Sequence, residues 1–310
     1  MPYRPSGITV ALVLATAVVA ISFAAIFARL AEAPGVVVAF WRMTFATLLL
    51  APLARRGLRR TPPTATTLRP AALAGLLLGI HFATWLSSLA YTTVAASVTL
   101  VTTAPIWVAL IEWVQGRRPH RGVLIGLATA VAGGVVIGLG DLRGGAAPLL
   151  GDALALVGAI SVAGYYLLGR HAQRAGLSTG AYAGVAYGVA ALVLVPVPYL
   201  FDAAYLAWPA ATWVWIVLMA VAPQLVGHTG LNWANRHVDP TLVATATLLE
   251  PVGAGVLAWL VFAEAPGPGV VAGAPVVLLG LALVIRNRRP PPPGPMPAGE
   301  PGGTKLASEP

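Results

Sequence analysis

"TTAPIWVALIEW", residues 102–113, and "LLEPVGAGVLAW", residues 248–259, align position by position, with Pro105 on Pro251 and Trp113 on Trp259. Extended outward, residues 91–134 fall on residues 237–280, which sets Gly134 on Gly280. A looser match sets "AISFA" at 20–24 against "AISVA" at 159–163. The chain therefore reads as a duplication, with halves at 8–139 and 149–285 and a join near Gly140 to Pro148.

Each half is a series of apolar blocks. Ten can be counted, at 8–29, 35–53, 70–92, 95–114, 121–139, 149–169, 178–200, 210–236, 240–262 and 268–285. Blocks of about twenty residues are long enough to cross the ~30 Å hydrocarbon core of a bilayer as helices. Of the 310 residues 58% are hydrophobic and 9% charged, far fewer charges than the roughly 25% of a soluble domain. The expected fold is an all-α integral membrane protein of ten transmembrane helices. Five crossings per half is an odd number, so the second repeat enters the membrane inverted. In such arrangements the substrate site lies near the midplane where the halves meet.

The net charge of +9 does not form a nucleic-acid face, because the basic residues sit in short loops. With the N-terminus inside, Arg4, Arg55, Arg56, Arg59, Arg60, Arg69, Arg117, Arg118, Arg121, Arg170, Arg174, Arg236, Arg286, Arg288, Arg289 and Lys305 are cytoplasmic. Only Arg29 and Arg143 are external, and Arg42 is within a span. That asymmetry predicts cytoplasmic termini in a plasma (inner) membrane. The first apolar run is longer than the 7 to 15 residues of a secretion-signal core, which argues against cleavage after "AEA" at 31–33. The tail at 287–310 is rich in Pro and Gly and is expected to be disordered. With no cysteine, disulfides and thiol chemistry are excluded, and a P-loop lacks its lysine, since the only lysine is Lys305.

Three sets of residues carry a resemblance to a known family. They are Arg42 in "FWRM", the "TTAPIWVALIEW" stretch, and "LLEPVGAGVLAWLVFAE" followed by Gly273 and Gly280. On these the chain resembles EamA-type members of the drug/metabolite transporter superfamily over residues 8–285. The resemblance implies a carrier of two five-helix halves, often exporting amino acids, other small metabolites or toxic organic compounds. Two departures stand out. The "gEr" motif after the fourth helix is replaced by "GRRP" with Arg117 and Arg118, although the second copy keeps Glu264. No acidic residue lies within 8–29, so the first-helix glutamate that couples protons in small multidrug members is missing.

Within the spans, apart from residues near their ends, the charged residues are Arg42, Glu112 and Glu250. An unpaired charge at the bilayer centre costs about 2.5–3.5 kcal/mol on insertion scales, so Arg42 should face the bundle interior, toward Glu250 or a wet cavity. The pair either fastens the repeats together or meets a substrate. Glu112, near the cytoplasmic end, is expected to pair with Arg117. Two polar stripes share helical faces: His81, Thr84, Trp85 and Ser88 in the third block, and Gln224, His228, Asn232 and Asn235 in the eighth. Either interhelical hydrogen bonding or a shared cavity explains them. With Tyr165, these residues form the expected substrate site: Arg42, His81, Trp85, Ser88, Tyr165, Gln224, His228, Asn232 and Glu250. Pro105 and Pro251, each about ten residues into its helix, are candidate hinges or static bends. Trp208 and Trp213 are placed at the external interface.

The expected function is a secondary transporter working by alternating access on a small-molecule substrate in a lipid bilayer. No cofactor, metal site or nucleic-acid partner is expected, and the oligomeric state is left open. Multidrug or organic-cation efflux is the alternative. A membrane enzyme is less favoured, because the ionisable groups form no compact acid, base and nucleophile set.

Overall fold

A computed structural model describes residues 5–92, 94–139, 146–263 and 268–287. The join at 140–145, Glu264 and the tail beyond Asn287 lie outside the described residues. Among those described, every regular element is helical. They are α1 (Gly7–Ala31), α2 (Gly35–Arg60), α3 (Ala65–Ser88), α4 (Val94–Val101 then Ala104–Val114), α5 (Arg121–Leu139) and α6 (Pro148–Arg174). There follow α7 (Thr179–Leu194 with a further turn Val197–Leu200), α8 (Ala210–Met219, Ala220–His228, Thr229–His237), α9 (Pro240–Ala246, Thr247–Leu249, Glu250–Phe262) and α10 (Pro268–Asn287). Seven of them, α1, α2, α3, α6, α7, α8 and α9, are long and apolar enough to cross a membrane. Shorter apolar helices lie at Ala104–Val114, Arg121–Val136 and Val271–Asn287. The α4 block, expected as one rod, is interrupted at Thr102 and Thr103 and so falls short of a single spanning helix.

Exchanging the halves, so that α1 takes the place of α6 and so on to α5 and α10, maps most of the packing onto itself. The contact of α3 with α6 becomes that of α8 with α1, α3 with α7 becomes α8 with α2, and α4 with α6 becomes α9 with α1. The pairs α2 with α7, α4 with α9 and α5 with α10 map onto themselves. The α5–α10 pair is backbone against backbone. A Cβ at Gly126 would stand 2.7 Å from the Val284 amide nitrogen, and one at Gly133 would stand 2.6 Å from that of Val277. Small residues permit such closeness, and dispersion then holds helices together without a hydrophobic driving force.

The molecule is apolar outside and partly polar inside. Leu12, Leu48, Leu53, Leu150, Leu192 and Leu260 are exposed, while Arg42, Gln224, Asn232 and Asn235 are buried. An exterior of that kind suits lipid and would be untenable in water.

The repeat-related prolines sit beside breaks. α4 restarts at Ala104 with Pro105 in its first turn, and α9 passes through a 3₁₀ turn at Thr247–Leu249 before restarting at Glu250 with Pro251. In a first turn the missing N–H is one of those without an intrahelical partner, so proline costs little there. The expectation of prolines in helix interiors is thus replaced by two matched interruptions.

Candidate functional site

α2 turns Val38, Ala39, Arg42, Met43, Ala46 and Leu50 inward, and the alanines leave room for the arginine's length. Arg42 is 1% exposed. Its Nε donates to Gln224 Oε1 at 2.8 Å, its Nη1 lies 3.7 Å from Met219 Sδ, and its guanidinium sits 4.2 Å from the centre of the Phe82 ring. A hydrogen bond to a charged group contributes about 1.5–3 kcal/mol and a desolvated cation–π contact about 2. Together these are of the size of the insertion cost, so Arg42 is tolerated without a carboxylate partner.

Arg42 and Glu250 line one cavity of about 40 Å³, along with His81, Trp85, Tyr166, His228, Thr102 and Thr247. No ion pair joins Arg42 to Glu250 among the described residues. The cavity lies against both helix breaks: Val101, Thr102 and Ala104 border it from α4, and Thr247 and Glu250 from α9. Glu250 opens the second piece of α9, with its own backbone N–H bonded to the Thr247 carbonyl.

The ring system is built by α3. His81 lies with its Nδ1 2.9 Å from the Gly158 carbonyl and stacks on Trp85 at 5.8 Å between ring centres. Phe82 stands edge-on to His228 at 5.5 Å. At this site four buried nitrogens have no hydrogen-bond partner among the described residues: Arg42 Nη2, Trp85 Nε1, Gln224 Nε2 and His228 Nδ1. Three of these residues line the cavity and the fourth is bonded to Arg42.

α8 presents Gln224 and His228 through a π-helical stretch, Ala220–His228, that contains Pro223. The Gln224 carbonyl accepts the Thr229 backbone N–H five residues on, and also hydroxyls from Tyr187 at 3.4 Å and Thr229 at 3.3 Å.

Of the expected site residues, Arg42, His81, Trp85, His228 and Glu250 meet at the cavity, and Gln224 stands behind Arg42. Three others do not reach it. Ser88 Oγ bonds to the Trp85 carbonyl and to Ser97 Oγ, each at 2.6 Å. Tyr165 donates to Asn232 Oδ1 at 2.8 Å, and Asn232 also binds Tyr187 and, through its carbonyl, Gln173. They fasten helices instead. Tyr166 takes the cavity position in place of Tyr165, one residue and about 100° round the helix. Thr102 and Thr247 were not singled out from the sequence, and only their nearness to Pro105 and Pro251 hinted at them. The expected Glu112–Arg117 pair is absent. Glu112 accepts from Thr241 of α9 at 3.2 Å, and the Arg117 guanidinium turns to Gln115. Trp213, expected as an interface anchor, packs on Trp41 and Phe45.

The model of the EamA-like transporter family matches residues 6–139 and again 149–286. Among solved structures, one described only as the crystal structure of a protein superposes with a TM-score of 0.74 at 19% identity, covering 91% of this chain and 99% of its own. At that identity it supports the fold alone. No curated protein matches the sequence.

Proposed function

Because the chain belongs to the EamA-like transporter family, a family of multi-pass membrane carriers of small molecules, we propose that it is a secondary transporter exporting a small zwitterionic metabolite, such as an amino acid, by alternating access. One observation carries this reading: Arg42, Trp85 and His228, each with a buried nitrogen that has no hydrogen-bond partner among the described residues, line the same cavity as Glu250. The nitrogens suit a substrate carboxylate and Glu250 suits an ammonium group, while Tyr166 and Trp85 supply apolar walls.

The route of transport rests on the breaks in α4 and α9. A cavity of about 40 Å³ has room for roughly two or three waters and falls well below the roughly 300–1,000 Å³ of ligand sites. Loading a metabolite therefore requires the helices to part, and helices already interrupted beside the site are where they bend at least cost. The two halves are proposed to lie inverted across ten spans, with the termini cytoplasmic in the plasma membrane, supported by the largely self-mapping packing and the arginine asymmetry. Reporter fusions after Arg60 and Arg118 should read cytoplasmic and one near Asp202 external. An external signal at Arg60 overturns that topology.

The competing reading, organic-cation efflux, draws on Glu250 beside aromatic rings. It leaves Arg42 as a repelling charge in the same cavity. Counterflow into liposomes decides between them. Purified protein should exchange labelled amino acids, and Arg42→Ala should abolish exchange while the protein still assembles. Exchange of organic cations without any amino acid, or normal exchange by Arg42→Ala, replaces the zwitterion assignment.

A further inference from the structure

At the end of α2 the sequence "RRGLRR", residues 55–60, places four arginines within six residues. All four are exposed, as is Arg69 at the start of α3. The helix is oriented there by close packing. Ala54 is buried, and a Cβ at Gly57 would stand 2.5 Å from Ser178 Oγ and 3.1 Å from the Ala181 Cβ of α7. With Ala54 and Gly57 fixed toward α7, helical geometry directs Arg55, Arg56, Arg59 and Arg60 to the opposite side.

That side is continuous with the apolar exterior. Leu49, Leu53, Arg56 and Arg60 follow one another at spacings of four, three and four, and so do Leu48, Pro52, Arg55 and Arg59. Leu48, Leu49 and Leu53 are exposed by 63%, 53% and 54%. Each stripe thus runs from acyl-chain chemistry into guanidinium chemistry within two helical turns. Among the described residues no acid answers the cluster. Glu112 is bonded to Thr241, and Asp239 is paired with Arg170 at 2.8 Å. The chain's own tail does not complement it either, since residues 288–310 hold Arg288, Arg289 and Lys305 against Glu300 and Glu309.

We propose that the end of α2 is a binding site for anionic phospholipid, with the glycerophosphate headgroup on Arg55, Arg56, Arg59 and Arg60 and the acyl chains along Leu48, Leu49 and Leu53. Guanidinium groups match phosphate oxygens in a planar two-point fork that an ammonium lacks. Basic clusters at the end of a spanning helix draw anionic lipid with about 1 kcal/mol per residue. The surface is separate from the cavity and does not depend on what is transported.

Two measurements test it on the whole protein. In mixed micelles, phosphatidylglycerol should raise the thermal midpoint above that in phosphatidylcholine. The variant Arg55→Gln/Arg56→Gln/Arg59→Gln/Arg60→Gln should lose most of that increment, at about fivefold in relative lipid affinity per arginine removed. Arg117→Gln/Arg118→Gln should keep it. An increment unchanged in the fourfold variant, or lost equally in the Arg117/Arg118 variant, shows diffuse attraction to the net charge and overturns the site. If the fourfold variant does not assemble, the native protein still decides. A photoactivatable phosphatidylglycerol should crosslink mainly to the peptide holding residues 48–60, and labelling spread evenly over the basic loops overturns the proposal.

Discussion

α3 and α8 occupy corresponding places in the two repeats and carry similar polar stripes, yet they serve Arg42 by different chemistry. α3 is a regular helix that offers rings, with Phe82 under the guanidinium and Trp85 on the cavity wall. α8 passes through a π-helical stretch and offers an amide, with Gln224 accepting from Arg42 Nε. Further along, α8 uses Asn232 and Asn235 to hold Tyr165, Tyr187 and the Tyr166 carbonyl, whereas α3 ends on a local Ser88–Ser97 bond. A polar stripe in a membrane helix therefore has two uses, lining and fastening, and the neighbour it meets selects between them.

Removing the amide should produce the largest effect. Gln224→Leu leaves a buried cation without its hydrogen-bond acceptor, so transport should fall about tenfold or more and stability by about 2–3 kcal/mol. Counterflow and detergent-phase denaturation measure the two, and normal values for both would mean that α8 does not hold Arg42. Phe82→Leu removes the ring and should cost about 2 kcal/mol of the same anchoring, with transport weakened several-fold. If Phe82→Leu proved more damaging than Gln224→Leu, the ranking of the two helices would be reversed. For Asn232→Leu the expectation changes in kind. It should lower stability by about 0.6–1.7 kcal/mol, the range for interhelical hydrogen bonds in bilayers, while exchange per folded molecule stays near normal. A raised substrate requirement in that variant would return Asn232 to the cavity. Ser88→Ala should be the mildest, within about 1 kcal/mol and silent in transport, because Ser88 bonds only near its own chain segment.

Several features were open to a reading of residues alone. The apolar blocks, the family and the inward placement of Arg42 follow from composition, from matched stretches around Pro105 and Pro251, and from the cost of exposing a guanidinium to hydrocarbon. The site was legible only in part. Spacings of three and four mark a face, but the π-helical turn at Ala220–His228 changes the spacing that shares a face, and Tyr165 and Tyr166 differ by only one position. Nothing in the periodicity tells which of two adjacent tyrosines meets the cavity. The α4 block likewise reads as continuous, since apolar residues run through the break at Thr102 and Thr103.

The sequence by itself determined that the chain lives in lipid, that it is built from two matching repeats, and that its buried cation faces inward, because each follows from transfer costs that add along the chain. Only the tertiary structure decided the partner of that cation. Gln224 and Phe82 hold Arg42 while Glu250 faces the same cavity without pairing to it. The choice among them depends on which helices pack within about 3 Å of the guanidinium, and packing joins residues that stand 182 positions apart in the chain.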